Sequence, residues 1–234
     1  MKNILLSVFG TFGEYRNNTT ELVARRLLGS FLAGYKVHVI KFPATIPATS
    51  EINRGIRLFR EALRIEASAI LSLGMASAKT GLCVEQQARN LNTNAKYCGE
   101  ALHQPVDQNQ KLGELLELNL DQWNIGKFIR ECRKERVRVM RPSSDAGGFC
   151  CNHLAYQARL AQLSRSEWDE IPYIFIHTPC SPEAIAEKDK PAFIAAKKTM
   201  MSMDEIVYGL EILVGRARLG RQSNRKKKTA PASV

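Results

Sequence analysis

Long hydrophobic runs are missing from this chain. None of its 234 residues belongs to an apolar stretch of the roughly 20 residues needed to span a bilayer, so neither a transmembrane helix nor a membrane partner is expected. The N-terminal apolar run, residues 4–9, breaks at Gly10-Thr11-Phe12-Gly13 with no small-residue cleavage pattern. It reads as the first strand of a cytoplasmic protein and not as a secretion signal. The six cysteines, Cys83, Cys98, Cys132, Cys150, Cys151 and Cys180, form no C-x-x-C pair. A metal centre and a disulfide scaffold are therefore not expected, whereas reduced thiols, one of them chemically used, are. Acids are scarce: 23 Asp and Glu face 34 Lys and Arg, for a net charge of +11. Seven positive charges, from Arg216 to Lys228, follow the last acid, Glu211. Residues 220–234 lack apolar periodicity and read as a disordered basic tail with weak, salt-sensitive polyanion contact and no specific nucleic-acid role.

Strand and helix patterns in alternation are what the chain does have. Apolar and charged fractions of 44% and 24% are those of a globular protein with a sizeable core. Apolar runs at 3–9, 35–42, 69–73, 137–140 and 171–176 predict buried strands. Apolar positions at helical spacing predict helices over 21–32, 51–65, 120–135, 152–163 and 203–217. The stretch 81–90 reads as a short helical segment, and the polar stretch 91–114 as irregular. The alternation gives an α/β fold: a single three-layer α/β/α domain over residues 1–219, with a mostly parallel twisted sheet between helices.

In such sheets sites gather at the carboxyl ends of strands. Residues 9–12, residues 74–85, the Cys150-Cys151 pair and His177 all follow strand ends. A cysteine in the first turns of a helix feels the positive end of the helix dipole and nearby backbone N–H groups, which favour the thiolate. A small buried hydrophobe is the competing reading of either thiol. Among four histidines, His38 sits in a strand, His103 in the irregular stretch and His153 beside the cysteines on their own helix. His177 ends a strand 26 residues after Cys151, one βαβ step away, and is the best-placed base. Glu85 is positioned to hold the imidazole in its productive tautomer. The Gly147-Gly148 turn can offer N–H groups to an oxyanion, and Phe9 and Phe12 can wall an apolar slot.

These pieces, in this order, resemble the pyroglutamyl-peptidase I family, cysteine peptidases that remove an N-terminal pyroglutamate. Phe9-Gly10-Thr11-Phe12-Gly13 with Asn18-Thr19-Thr20 is similar to the family's N-terminal signature. Leu73-Gly74 with Val84-Glu85-Gln86-Gln87-Ala88-Arg89-Asn90 is similar to the stretch carrying its catalytic Glu. Ser144-Asp145-Ala146-Gly147-Gly148-Phe149-Cys150-Cys151-Asn152 matches the nucleophile motif, in which Cys directly precedes Asn. Phe175-Ile176-His177-Thr178-Pro179 with Pro182-Glu183 matches the catalytic-His motif.

The resemblance implies Cys151 as nucleophile, His177 as base and Glu85 as orienting acid. It implies Phe9, Phe12 and Asn18 at the substrate, the two rings sandwiching the lactam. It also implies no metal, no cofactor, a cytoplasmic homotetramer and peptide substrates that begin with pyroglutamate. Three positions depart from the pattern. The family's active-site Arg falls on Ala95, with Lys96 beside it; an upstream Arg is matched by Lys79; Thr11 stands where Pro is usual. A lysine restores positive charge but not a planar bidentate fork. These departures leave open a second reading, a relative that keeps the fold and binds a small ligand or partner without turnover.

Overall fold

The computed structural model describes residues 1–13, 15–47, 53–186, 189–195 and 199–219. The basic tail expected at 220–234 lies outside the described residues. Strand β1 (Asn3–Phe9) is followed by α1 (Thr19–Leu27), β2 (Phe31–Leu32), β3 (Tyr35–Phe42), α2 (Arg54–Arg64) and β4 (Ala67–Met75). Three short strands come next, β5 (Cys83–Val84), β6 (Gln87–Arg89) and β7 (Leu115–Glu117). The chain then forms α3 (Ile125–Lys134), α4 (Cys150–Ser164), α5 (Ser166–Asp169), β8 (Tyr173–Thr178), α6 (Lys190–Ala195) and α7 (Met203–Arg216).

The main sheet runs in the order β2-β3-β1-β4-β8-β5. Its four central strands are parallel and its two edge strands antiparallel, while β6 and β7 pair separately. The central strands are apolar throughout because helices cover both faces, and alternation decides which face each side chain serves. Ile4, Leu6 and Val8 of β1 join one core with Val23 and Leu27 of α1, Phe128 of α3 and Leu210 of α7. Leu5 and Phe9 join the other with Leu58 and Phe59 of α2 and Leu154 and Ala158 of α4. This is the expected three-layer arrangement.

Several boundaries differ from expectation. The helix expected over 21–32 stops at Leu27, because Gly29 turns at φ +73° and Phe31 and Leu32 pair with β3. The start of the helix expected at 51 lies outside the described residues, and α2 is capped by the Asn53 side chain, which accepts from Ile56 N–H at 3.1 Å. The segment 81–90 is not helical; it supplies β5 and β6. The helix expected over 120–135 opens as a tight turn over 121–123 and becomes α3 only after Asn124 at φ +48°. The run 137–140 forms no full strand. It makes one parallel bridge, Leu82 to Val139, and so lies outside β5. β5 therefore intervenes between that run and β8, and the single βαβ step expected between Cys151 and His177 is longer by one strand.

Close packing of α2 on α4 rests on Gly55. A Cβ there would collide with the backbone carbonyl of Gln157, whose own side chain accepts from Arg54 N–H at 3.0 Å. Alanine improves helix propensity by up to about 1 kcal/mol, whereas overpacking against backbone costs about 1–3 kcal/mol. Gly55→Ala should therefore lower stability by about 1–2 kcal/mol net, read as a lower urea midpoint at unchanged slope. An unchanged midpoint would mean that the two helices part freely.

Candidate active site

The direction of His177 follows from β8. Ile174 and Ile176 face the α1–α3–α7 core and Tyr173 and Phe175 the α2–α4 core, so His177 shares the face of α4. Gly74 of β4 is its register partner on one side and Cys83 of β5 on the other. A Cβ on Gly74 would lie 2.6 Å from Cys151 Sγ and 3.0 Å from His177 Cδ2. Thiol and imidazole thus converge over a position that carries no side chain.

Glu85 follows β5 and is held by its N–H bond to Phe175 C=O at 3.0 Å. Its Oε1 accepts from His177 Nδ1–H at 2.7 Å, and the carboxylate is fully buried. A carboxylate accepts, so the proton of this bond is assigned to Nδ1, the tautomer in which a neutral imidazole presents its Nε2 lone pair. Lys79 Nζ lies 3.4 Å from the same Oε1.

Cys151 is the second residue of α4, which has no side-chain cap at Phe149. The backbone ladder of α4 begins with His153 N–H to Phe149 C=O at 3.0 Å, so the N–H groups of Cys150, Cys151 and Asn152 precede it. Such N–H groups, free of the helix ladder and next to Cys151, can donate to a developing oxyanion. The helix start is anchored by Asn152, whose amide donates to Arg89 C=O and accepts from Arg89 N–H, both at 2.8 Å. The Cys151 thiol is pushed well above its ordinary value, first by its hydrogen bond with the Cys150 side chain, then by burial and by the Glu85 charge. Burial and these neighbours thus oppose the thiolate that the helix dipole favours.

A cavity of about 430 Å³ opens over these groups, and Phe9, Phe12, Asn18, Lys79, Cys151 and His177 all line it. Glu85 sits behind His177 and does not. Asn18 also has a structural part: it caps α1 by accepting from Thr20 N–H and donates to Gly10 C=O, both at 2.9 Å, which ties down the backbone between Phe9 and Phe12. Sequence reading missed the aromatic wall of Tyr15, Tyr97 and Phe149. The Phe12 ring lies 5.4 Å from Tyr15 and 5.8 Å from Tyr97, and Tyr97 lies 5.2 Å from Phe149. A tyrosine embedded in an irregular polar stretch was the available signal. Of the other histidines, His38 on β3 bonds Asn3 of β1 and does not line the cavity, and His153 faces Asn92 away from it. Among the described residues no group of three His, Cys, Asp or Glu side chains could hold a metal ion, and no helix is long and apolar enough to cross a membrane.

A family model described as pyroglutamyl peptidase matches residues 2–218. The chain belongs to the pyroglutamyl peptidase family. The pyrrolidone-carboxylate peptidase of Streptococcus pneumoniae is 28% identical over 211 residues, covering 90% of each chain. That of Chromobacterium violaceum is 28% identical over 218 residues, covering 92% of this chain and 91% of its own. Pyroglutamyl peptidase I from Bacillus amyloliquefaciens superposes with a TM-score of 0.73 at 24% identity, covering 93% of this chain and 95% of that one. Pyrrolidone carboxyl peptidase from Thermococcus litoralis gives 0.73 at 19%, with 93% of each chain covered. These two structures show that the α/β fold is the family's. Where the pyroglutamyl peptidases carry their active-site Arg, Ala95 is exposed here; Lys96 turns outward over the Tyr97 ring at 5.1 Å, and Lys79 lines the cavity.

Two consequences can be measured. Gly74→Ala places a methyl between thiol and imidazole, and a displacement of about 1 Å costs about 100-fold in rate. The variant should fold and lose that much kcat/KM; wild-type kinetics would show that the two groups do not meet over position 74. His153, 4% exposed, is pushed from 6.5 to about 3 by burial, with a smaller push from Arg54. The unfolded chain takes up this proton below pH 6.5 and the folded chain does not, so stability is lost as pH falls below 6.5, by about 2 kcal/mol at pH 5. Melting curves at pH 7.5 and 5 should show the loss, and His153→Gln should reduce it; an unreduced slope would assign the loss to other groups.

Proposed function

We propose that this chain removes N-terminal pyroglutamate from peptides through an acyl-enzyme on Cys151. The observation that carries the reading is the buried 2.7 Å bond from His177 Nδ1 to Glu85, which frees Nε2 as a base beside the Cys151 thiol. The neutral lactam enters between Phe9 and Phe12. His177 takes the thiol proton as Cys151 Sγ attacks the pyroglutamyl carbonyl, and the N–H groups at the start of α4 receive the oxyanion. His177 returns the proton to the departing amine, then activates water to release free pyroglutamate and restore the thiol. Glu85 holds the ring and offsets its transient positive charge. In the same reading residues 1–219 are the catalytic domain, the enzyme works in the cytoplasm as a homotetramer, and the tail 220–234 adds at most weak polyanion contact.

The test is hydrolysis of a pyroglutamyl-arylamide by the reduced protein. Turnover should disappear on thiol alkylation. Cys151→Ala and His177→Ala should each lose at least about 1,000-fold in kcat, and Glu85→Gln about 100-fold or more. No turnover by folded protein with a free Cys151 thiol, or an active Cys151→Ala variant, would sink the reading.

A further inference from the structure

We propose that Lys79 is a positioning residue of this site, a cation that secures the Glu85 carboxylate behind His177. The inference rests on the peptidase reading of Cys151, His177 and Glu85. Lys79 belongs to the loop between β4 and β5, where its N–H donates to Ala76 C=O at 3.0 Å and turns the chain back toward the sheet. Its side chain is only 20% exposed, and the Glu85 side chain is not exposed at all. Nζ lies 3.4 Å from Glu85 Oε1, the oxygen that accepts from His177, and donates to Cys83 Sγ at 3.6 Å. Cys83 in turn donates to Arg141 C=O at 3.5 Å, so the cation is embedded in a small polar chain beneath the base.

Glu85 needs such a partner. Its Oε2 is buried with no hydrogen-bond partner among the described residues. A carboxylate enclosed in this way and met only by a neutral imidazole carries an uncompensated charge, a costly arrangement in a protein interior. The titratable groups facing Glu85 are His177 from β8, Cys151 from α4, Cys83 on its own strand and Lys79 from the loop. The two thiols carry no positive charge, and the peptidase reading uses His177 as a neutral base. Lys79 is therefore the standing counter-charge among them. A cation beside the Glu85–His177 pair makes it harder for the pair to take up a proton, which keeps Nε2 available at lower pH. A mere loop anchor would not do this.

The experiment compares wild type, Lys79→Met, Lys79→Gln and Lys79→Arg by two pH profiles: kcat/KM on the pyroglutamyl-arylamide, and the rate of Cys151 alkylation by iodoacetamide located by peptide mass. Both neutral variants should move the acid limb of each profile to higher pH by about one unit or more, approaching the wild-type plateau at alkaline pH. Lys79→Arg should return the limb toward wild type. An unmoved limb in whichever neutral variant folds overturns the proposal, even if activity falls uniformly. So does a Lys79→Arg limb displaced as far as that of Lys79→Met. If wild type alkylates rapidly at Cys151 but hydrolyses nothing, the peptidase reading fails, while the alkylation profiles still decide the role of Lys79.

Discussion

The absence of a side chain at position 74 is the constraint on which the site depends. Gly74 lies on the α4 face of β4, and two residues earlier Ser72 shares a 2.5 Å hydrogen bond with Ser7 of β1. Small residues on two adjacent central strands make a shallow floor on an otherwise filled sheet. The first turn of α4 carries Cys151 down onto that floor, while β8 delivers His177 from beside it. The register of β8 is then critical. A shift by one residue would turn His177 into the opposite core and place Ile176 under the thiol. The apolar side chains of β8, 0% exposed on both faces, are what hold that register.

The wall facing the sheet is built differently, from amides. Asn90 is buried, with Nδ2 donating to the carbonyls of Asp107, Gln110 and Lys111 and Oδ1 accepting from Asp107 N–H at 2.8 Å. Asn92 and Asn152 do similar work on either side of it. These side chains satisfy backbone groups that no helix or strand serves, which lets a loop without regular structure stay fixed. Thr93 and Asn94 N–H then both bond Gly148 C=O, at 2.9 and 3.1 Å, and join the loop to the nucleophile turn. Tyr97 is presented to the cavity by this scaffold.

That difference explains what the sequence disclosed. β1 and β3 were legible to the residue because burial on both faces writes a continuous apolar run, and Cys151, His177 and Glu85 stood out as reactive groups at strand ends. β5 was not legible. Two residues carry no period, and their placement depends on pairing with β8 across more than 80 intervening positions. Local apolar spacing misled in the same region, where 81–90 looked helical and 137–140 looked like a full strand. Tyr15 and Tyr97 reach the cavity through loops whose course depends on hydrogen bonds between distant residues, so apolar spacing did not mark them, and Lys79 was marked only by the resemblance.

The electrostatics of the site agree with the chemistry it is proposed to perform. A standing thiolate–imidazolium pair would place two more charges in a cavity walled in part by Phe9, Phe12, Tyr15, Tyr97 and Phe149, and pyroglutamate is a neutral lactam that offers neither charge a partner. An environment that opposes the thiolate avoids that desolvation at rest. The charges that do stand, on Glu85 and Lys79, are placed behind and beside the imidazole, and they neutralise one another there. In the proposed mechanism positive charge appears on His177 as the oxyanion forms at the start of α4, so both charges of the reaction arise together, each facing groups already in place. A site organised in this way favours the charge separation of the transition state over the same separation at rest, and that difference is what accelerates a reaction.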